Sequence, residues 1–274
     1  MLLYLRNRKV EYADEMNSFM EMKERPLIFI TNDDGIEAKG LKEVAEVMRL
    51  FGDVVVVAPE MAMSGMSSAI SVERPLRATK VHEEEGYIAY KCSGTPVDCV
   101  KLGFNHLVER LPDFVISGIN HGANSSISVV YSGTMGAAIE GCLHGVPSIG
   151  FSLCDYAPDA DFSKAKMWVA RVFQSVFEKS LPPFVCLNVN IPKGNIEGIE
   201  VCRQAAGKWV EELEKRTDPH QREYYWLAGY FKNFEPDVEG TDMHALDNQK
   251  VSVVPVNVDM TCRETFMQMR DWQF

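Results

Sequence analysis

The chain has 274 residues, enough to bury a hydrophobic core without disulfide support. It carries 28 Lys and Arg against 39 Asp and Glu, a formal net charge of −11, so a nucleic-acid polymer is not an expected partner. No apolar run approaches the length of a membrane span, and no membrane partner is expected either. Small phosphorylated molecules stay open as ligands, because a metal ion or a helix N-terminus can supply local positive potential.

The seven cysteines are scattered along the chain, and none forms a CxxC pair, which argues against a zinc cluster. Several of them lie in apolar runs, where a buried, reduced thiol is the expected state. Reduced thiols suit the cytosol, so the protein is predicted to be cytoplasmic. The first 25 residues lack the apolar region of a signal peptide, and we interpret them as an N-terminal extension outside the core.

Strand-like and helix-like segments alternate from residue 26 onward. Short, continuous apolar runs are typical of strands buried on both faces, and hence of a parallel sheet. In chain order the pattern predicts strand 27–31, helix 40–51, strand 53–58, short strands 76–81 and 87–90, a helix from Thr95 to about Arg110, strand 113–117, helix 134–144, strand 148–153, helix 162–179, strand 184–191 and strand 251–258. This order predicts an α/β fold: a Rossmann-like, doubly wound, mostly parallel sheet between two layers of helices.

The character of the chain changes after Gly207. Residues 208–250 are polar and rich in aromatic side chains, and strand character returns only at residue 251. A β-rich segment of this kind often projects into a neighbouring subunit. It could equally form a small subdomain on the same chain, and the sequence leaves both interpretations open.

Two adjacent carboxylates, Asp33 and Asp34, follow the first predicted strand in the segment TNDDG (31–35). Neighbouring carboxylates repel each other unless a cation or a hydrogen-bond donor lies between them. The carboxyl ends of parallel strands are where ligands bind in doubly wound folds, which favours a metal site. The structural alternative is a helix cap beside a solvated acid.

Two further polar segments follow predicted strands. After the second strand, Ser64 and Gly65 offer a hydroxyl and an approachable backbone, although an ordinary flexible loop would look the same. In the segment SGINHGAN (117–124), Asn120 and Asn124 offer neutral carbonyl ligands that suit Mg²⁺ or Mn²⁺, although a plain turn has the same composition. His121 could act as an acid or base or be a structural surface residue.

A fourth segment, YSGTMGAA (131–138), opens a helix. The hydroxyls of Ser132 and Thr134 and the free N–H groups of a helix N-terminus make a phosphate site, and a plain N-cap is compatible with it. Asp, Ser and Asn are all oxygen donors without an accompanying His or Cys cluster, which favours a hard divalent ion over zinc or iron. Such an ion would polarise a phosphoryl oxygen and activate water.

The motifs TNDDG, APE…SGMSSAIS, CSGTPVDCVKLG, PDFVISGINHGAN and YSGTMGAAIEG, in this order, resemble the SurE family of survival-protein nucleotidases. The similarity is strong over about residues 26–195 and weaker beyond. It implies a Rossmann-like catalytic domain over 26–205 and a swapped oligomerisation arm with a closing strand over 206–274. It also implies a homodimer or homotetramer that removes phosphate from nucleoside 5′- and 3′-monophosphates, and some members attack short polyphosphate.

The resemblance also implies roles for individual residues. One divalent cation per subunit, Mg²⁺ or Mn²⁺, would be held by Asp33, Asp34, Ser64 and Asn120, and the two aspartates would be the catalytic pair. The substrate and its phosphate would be bound by Asn32, Gly65, Asn124, Ser132, Gly133 and Thr134.

Two other classes of function compete with a metal-dependent phosphomonoesterase. A Rossmann-type cofactor-binding protein would need a GxGxxG turn after the first strand, where this chain reads NDDGIEAKG. Two acids there repel a pyrophosphate unless a metal intervenes. A non-catalytic nucleotide-binding protein would keep the fold and lose the acids or Asn120, and none of these is lost.

Overall fold

The structure is a computed structural model that describes residues 25–273. Most of the predicted N-terminal extension lies outside these residues. The strands are β1 Leu27–Thr31, β2 Asp53–Pro59, β3 Ala78–Glu84, β4 Tyr87–Cys92, β5 Phe114–His121, β6 Ser148–Leu153, β7 Val185–Ile191, β8 Gly198–Val201, β9 Gly207–Val210, β10 Leu213–Thr217, β11 Glu223–Leu227, β12 Tyr230–Asn233 and β13 Lys250–Asn257. The helices are α1 Lys39–Met48, α2 Pro96–Leu102, α3 Gly133–Leu143, α4 Ser163–Lys179, α5 Asp242–Asp247 and α6 Arg263–Met269.

Nine strands form one sheet in the order β3-β4-β2-β1-β5-β6-β7-β13-β8. The six strands from β4 to β7 run parallel to one another, whereas β3 and β13 are antiparallel to β4 and β7. The predicted α/β class is therefore confirmed. The two short strands predicted at 76–81 and 87–90 belong to this sheet, because β4 pairs with both β2 and β3.

The core lies on both faces of this sheet, because the central strands alternate between two apolar layers. Ile28 and Ile30 face α1 and α4, whereas Phe29 faces α2 and α3. All three side chains are fully buried. Burial on both faces explains why these strands appear in the sequence as unbroken apolar runs.

Several element boundaries differ from the prediction: the helix predicted over 40–51 ends at Met48, and the strand predicted over 76–81 lies at Ala78–Glu84. The helix expected to reach about Arg110 is α-helical only to Leu102 and continues as a π-helical turn over Gly103–Leu107. Gly103 packs directly against the Phe29 ring, and a Cβ there would lie 2.3 Å from a ring carbon. The strand predicted over 113–117 continues to His121, with a shift of register against β6 between Ser117 and Asn120.

Residues 207–233 form a bent two-stranded ribbon, called the ribbon below. Its near part pairs β9 with β12, and its far part pairs β10 with β11, both antiparallel. Every residue of β10 and β11 is exposed. Among the described residues, no helix is both long enough and apolar enough to cross a bilayer.

Candidate functional site

The loops at the carboxyl ends of β1, β2 and β5 meet the N-terminus of α3 around a cavity of about 520 Å³. A volume of this size falls in the range of small-molecule sites, roughly 300–1,000 Å³. The lining comes from the sheet loops and from the ribbon, and it comprises Asp33, Ser64, Gly65, Asn120, His121, Gly122, Ala123, Asn124, Ser128, Tyr131, Ser132, Tyr156, Trp209, Glu212, Leu227 and Ala228.

Asp33 lies at the floor of this cavity and is only 3% exposed. Thr134 Oγ1 donates a hydrogen bond of 2.5 Å to its Oδ1, and Met63 N donates to its backbone oxygen at 2.7 Å. Burial raises the pKa of the Asp33 carboxyl to about 6; the Thr134 hydrogen bond opposes this shift and the nearby Asp34 charge adds to it. Asp33 is thus a buried acid whose charged form a cation would stabilise.

Asp34 points toward the end of β5. His121 N donates to its Oδ2 at 3.1 Å, and His121 Nδ1 lies 3.5 Å from the same oxygen. The His121 ring packs edge-on against Phe162 with centroids 5.0 Å apart. In the described chain its Nε2 has no hydrogen-bond partner. Neither aspartate caps a helix, and His121 is a half-buried neighbour of the acids rather than a surface residue.

The Asn120 side chain is anchored through its amide nitrogen, which leaves its amide oxygen available to a ligand. Its Nδ2 donates to Gly122 O at 2.8 Å and to His121 O at 3.2 Å. Asn124 is anchored through its own Nδ2, which donates to Ser152 Oγ at 2.8 Å. Both side chains line the cavity, so their amide oxygens are the groups left to meet a ligand.

The N-terminus of α3 closes one side of the cavity. Ser132 is the N-cap residue, and its hydroxyl oxygen accepts a hydrogen bond from Met135 N at 3.0 Å. The first N–H groups of a helix have no intrahelical partner, so they are available to an anion. The loop that carries Ser64 rests on this helix: a Cβ on Gly136 would lie 2.3 Å from Ser67 O.

The cavity does not reach every residue predicted to bind the substrate. Gly65, Asn124 and Ser132 line it, whereas Asn32, Gly133 and Thr134 do not. Asn32 is fully buried, and its amide group exchanges two hydrogen bonds with the Gly35 backbone. Thr134 uses its hydroxyl on Asp33. The sequence alone does not distinguish an asparagine that hydrogen-bonds within its own turn from one that binds a substrate.

Several lining residues could not be proposed from the sequence, among them Tyr156, Trp209 and Leu227. Tyr156 follows β6, Trp209 is in β9 and Leu227 is in β11. The aromatic content of residues 208–250 was a visible signal, but it carried no information about which strands fold back over the sheet loops. Tyr156 lay in a segment without a recognisable motif.

The chemistry of the lining fits a divalent cation. Of the predicted metal ligands, Asp33, Ser64 and Asn120 line the cavity, whereas Asp34 is not among the lining residues and accepts from His121 N. All four side chains offer oxygen atoms, which hard ions prefer. None of the residues found to line the cavity is Lys or Arg. Over residues 25–273 no cluster of three or more His, Cys, Asp or Glu side chains offers an alternative site. A phosphate dianion beside these carboxylates would be repelled without a bridging cation.

Comparisons with known proteins show which family the chain resembles in sequence and in fold. The profile of the family described as survival protein SurE matches residues 28–211. A protein from Phocaeicola vulgatus described as 5′-nucleotidase SurE is 48% identical over 251 residues, covering 91% of this chain and 98% of its own length. A Bacteroides fragilis protein of the same description is 47% identical, covering 93% and 100%. The crystal structure of the SurE protein from Aquifex aeolicus superposes with a TM-score of 0.77 at 34% identity, covering 89% of this chain and 98% of that one.

Proposed function

The chain belongs to the survival protein SurE family, and we propose that it hydrolyses nucleoside 5′-monophosphates with one divalent cation held by Asp33, Asp34, Ser64 and Asn120. It is a phosphomonoesterase of the 5′-nucleotidase type, as its relatives are. The observation that carries the detailed proposal is a cavity with a buried acid at its floor and no Lys or Arg in its described lining.

Each side chain has a defined part in this reaction. Asp33 and Asp34 hold the cation, and Thr134 and the backbone of His121 keep their carboxylates in place. Asn120 presents its amide oxygen, because its nitrogen is committed to two carbonyl groups. When bound, Mg²⁺ or Mn²⁺ supplies Lewis-acid polarisation of the phosphoryl group and activation of water.

The phosphate is oriented by the start of α3. The Ser132 hydroxyl accepts from Met135 N and keeps its own proton to donate to a phosphoryl oxygen. The unpaired N–H groups of the first helical turn and the helix dipole add to this attraction. Asn124 and Gly65 line the same cavity and complete the phosphate contacts.

We further propose that the ribbon joins subunits into a homodimer or homotetramer. A lone two-stranded hairpin is marginally stable in water, and the far part of the ribbon exposes Tyr225, Trp226 and Leu213. The seven cysteines are free thiols, six of them buried or half-buried, which supports a reducing, cytoplasmic location.

Phosphate release from a panel of substrates tests the proposal. Nucleoside 5′- and 3′-monophosphates, tripolyphosphate and wild-type protein are combined with EDTA, Mg²⁺ or Mn²⁺. We expect metal-dependent release that falls at least ~10²-fold in Asp33→Asn and Asp34→Asn. Asp247→Asn, at an exposed site on α5, is the matched control and should keep wild-type activity.

Two results would contradict this assignment. Release that persists in EDTA would remove the cation from the reaction. No release with any metal, together with tight binding of nucleotides or of NAD, would favour the non-catalytic or Rossmann-type alternatives.

A further inference from the structure

The cavity is larger and more aromatic than a phosphate site requires. At about 520 Å³ it accommodates far more than one tetrahedral anion, and Tyr156, Trp209 and Leu227 contribute to its lining. The phosphate contacts proposed above use only the polar groups from the sheet loops and α3. The aromatic part of the lining is therefore left for the remainder of the substrate.

Tyr156 has the geometry of a stacking platform. Its ring lies directly on Gly122: a Cβ at that glycine would be 2.1–2.8 Å from three ring atoms. The ring is nevertheless 72% exposed. The ring is thus in contact with the backbone at Gly122, between Asn120 and Asn124, while much of its surface stays open.

Trp209 reaches the same cavity from a different element. It lies in β9, at the near end of the ribbon, and it packs edge-on against Phe231 with centroids 6.2 Å apart at 71°. Gly207 makes room for this packing, since a Cβ there would lie 2.2 Å from a Phe231 ring atom. The indole is held in place by the ribbon, although the rest of the ribbon is largely exposed.

We propose that Tyr156 and Trp209 form the nucleobase subsite of this enzyme, so that the ribbon supplies part of the substrate specificity. This inference rests on the proposed nucleotidase function. Aromatic side chains stack on any nucleobase because every base has a π-face, so the subsite selects nucleotides over other phosphomonoesters without strong preference among bases.

A comparison of kcat/KM for AMP and for ribose 5-phosphate, which lacks the nucleobase, measures the contribution of the base to turnover. Tyr156→Ala and Trp209→Ala should each lower the ratio of kcat/KM for AMP to that for ribose 5-phosphate by roughly 5- to 150-fold, the equivalent of ~1–3 kcal/mol of base stacking. The loss should fall on KM, since stacking is equal in the ground and transition states. Turnover of ribose 5-phosphate should change little.

The control variants distinguish loss of the aromatic face from loss of side-chain volume and from an effect on subunit association. Tyr156→Phe and Trp209→Phe keep an aromatic face and should restore the ratio, whereas Tyr156→Leu and Trp209→Leu keep the bulk and should not. Trp226→Ala removes an exposed tryptophan of the same ribbon that is outside the cavity lining, and it should leave the ratio unchanged. A wild-type ratio in the alanine and leucine variants would overturn the subsite.

Turnover tests the nucleotidase function, and fluorescence quenching by adenosine tests the nucleobase subsite separately. If wild-type protein with metal cleaves neither substrate, the nucleotidase function fails. The subsite is still tested then, because adenosine should quench tryptophan fluorescence in wild type and not in Trp209→Phe. Equal quenching in both proteins would reject it independently of turnover.

Discussion

At the scale of single residues, the buried Asp33 carboxyl links the stability of the protein to pH. Its folded-state pKa of about 6 lies above the ordinary value of 3.8 because burial disfavours the charged form. The folded protein therefore binds this proton more tightly than the unfolded chain does. Between about pH 4 and 6 the free energy of unfolding falls as pH rises, by ~3 kcal/mol in total, and the deficit persists at higher pH.

Asp33→Asn should accordingly stabilise the metal-free protein while it abolishes turnover. In EDTA at pH 7.5 we expect the variant to gain about 1–3 kcal/mol in the free energy of unfolding, because no charge is buried. At pH 4 the gain should shrink toward zero, since wild-type Asp33 is then protonated when folded. Urea denaturation at both pH values measures this, and a variant less stable than wild type at pH 7.5 would contradict it.

The substitution Gly133→Ala tests whether activity depends on the position of the Asp33 carboxylate. A Cβ at Gly133 would lie 2.8 Å from Asp33 Cβ and 3.0 Å from its Oδ2. Gly133→Ala should displace the carboxylate and reduce kcat/KM by at least ~10-fold, with the secondary structure intact by circular dichroism. Gly198→Ala enters open space at an ordinary φ and is the control. Equal activities of the two variants would mean that the carboxylate tolerates the shift.

At the scale of elements, Asp242 fastens the C-terminal part of the chain to the site. Its Oδ2 accepts from Ser126 N at 2.6 Å, and its Oδ1 accepts from Ala205 N and from Met243 N. Ser126 begins the 3-10 turn that leads into the N-terminus of α3. One buried side chain thus joins α5, the segment before the ribbon and a wall of the cavity.

Asp242→Ala should therefore cost more than a typical surface change. Each buried N–H left without an acceptor costs about 1–3 kcal/mol, and we expect a total loss of at least ~2 kcal/mol in the free energy of unfolding. Asp247→Ala, at the exposed end of the same helix, should stay within about 0.5 kcal/mol. Thermal denaturation of both compares them, and matching melting temperatures would be inconsistent with this role.

The sequence predicted the strands that are covered on both faces most clearly, and it did not predict the strands of the ribbon. Runs such as 27–31 and 53–58 are apolar throughout because both of their faces are covered. The strands β10 and β11 have no buried face, so their residues follow no alternation that could be recognised. The π-helical turn after Leu102 depends on contact with Phe29, which lies in a different element.

The site shows the same division. Asp33, Asp34 and Asn120 could be proposed from the sequence because strand ends in a parallel sheet converge. Asn32 follows the same strand end, and its side chain forms two hydrogen bonds with the Gly35 backbone. Tyr156 and Trp209 required knowledge of how the ribbon and the loop after β6 fold over the sheet, which local patterns do not encode.

At the scale of the whole molecule, the proposed homodimer or homotetramer depends on contacts made by the far part of the ribbon, β10 and β11. Leu213 pairs with Leu227 and Lys215 with Tyr225 across the two strands, so Leu213 and Tyr225 share one face. Leu213→Glu with Tyr225→Glu should shift the protein toward monomers. Sedimentation velocity measures this, with Leu50→Glu, a similarly exposed site on the sheet domain, as control. An unchanged sedimentation coefficient would exclude this face from the interface.

The absence of Lys and Arg from the described cavity lining has a kinetic consequence for the whole enzyme. In a chain of net charge −11, a cavity without a cation would repel a nucleotide, so under the proposed function we expect the cation to bind before the nucleotide. Catalysis would then follow a compulsory order of addition. A nucleotide present in excess over free Mg²⁺ or Mn²⁺ would sequester the activator in solution and slow its own hydrolysis, which makes the rate a readout of the free cation in the cell.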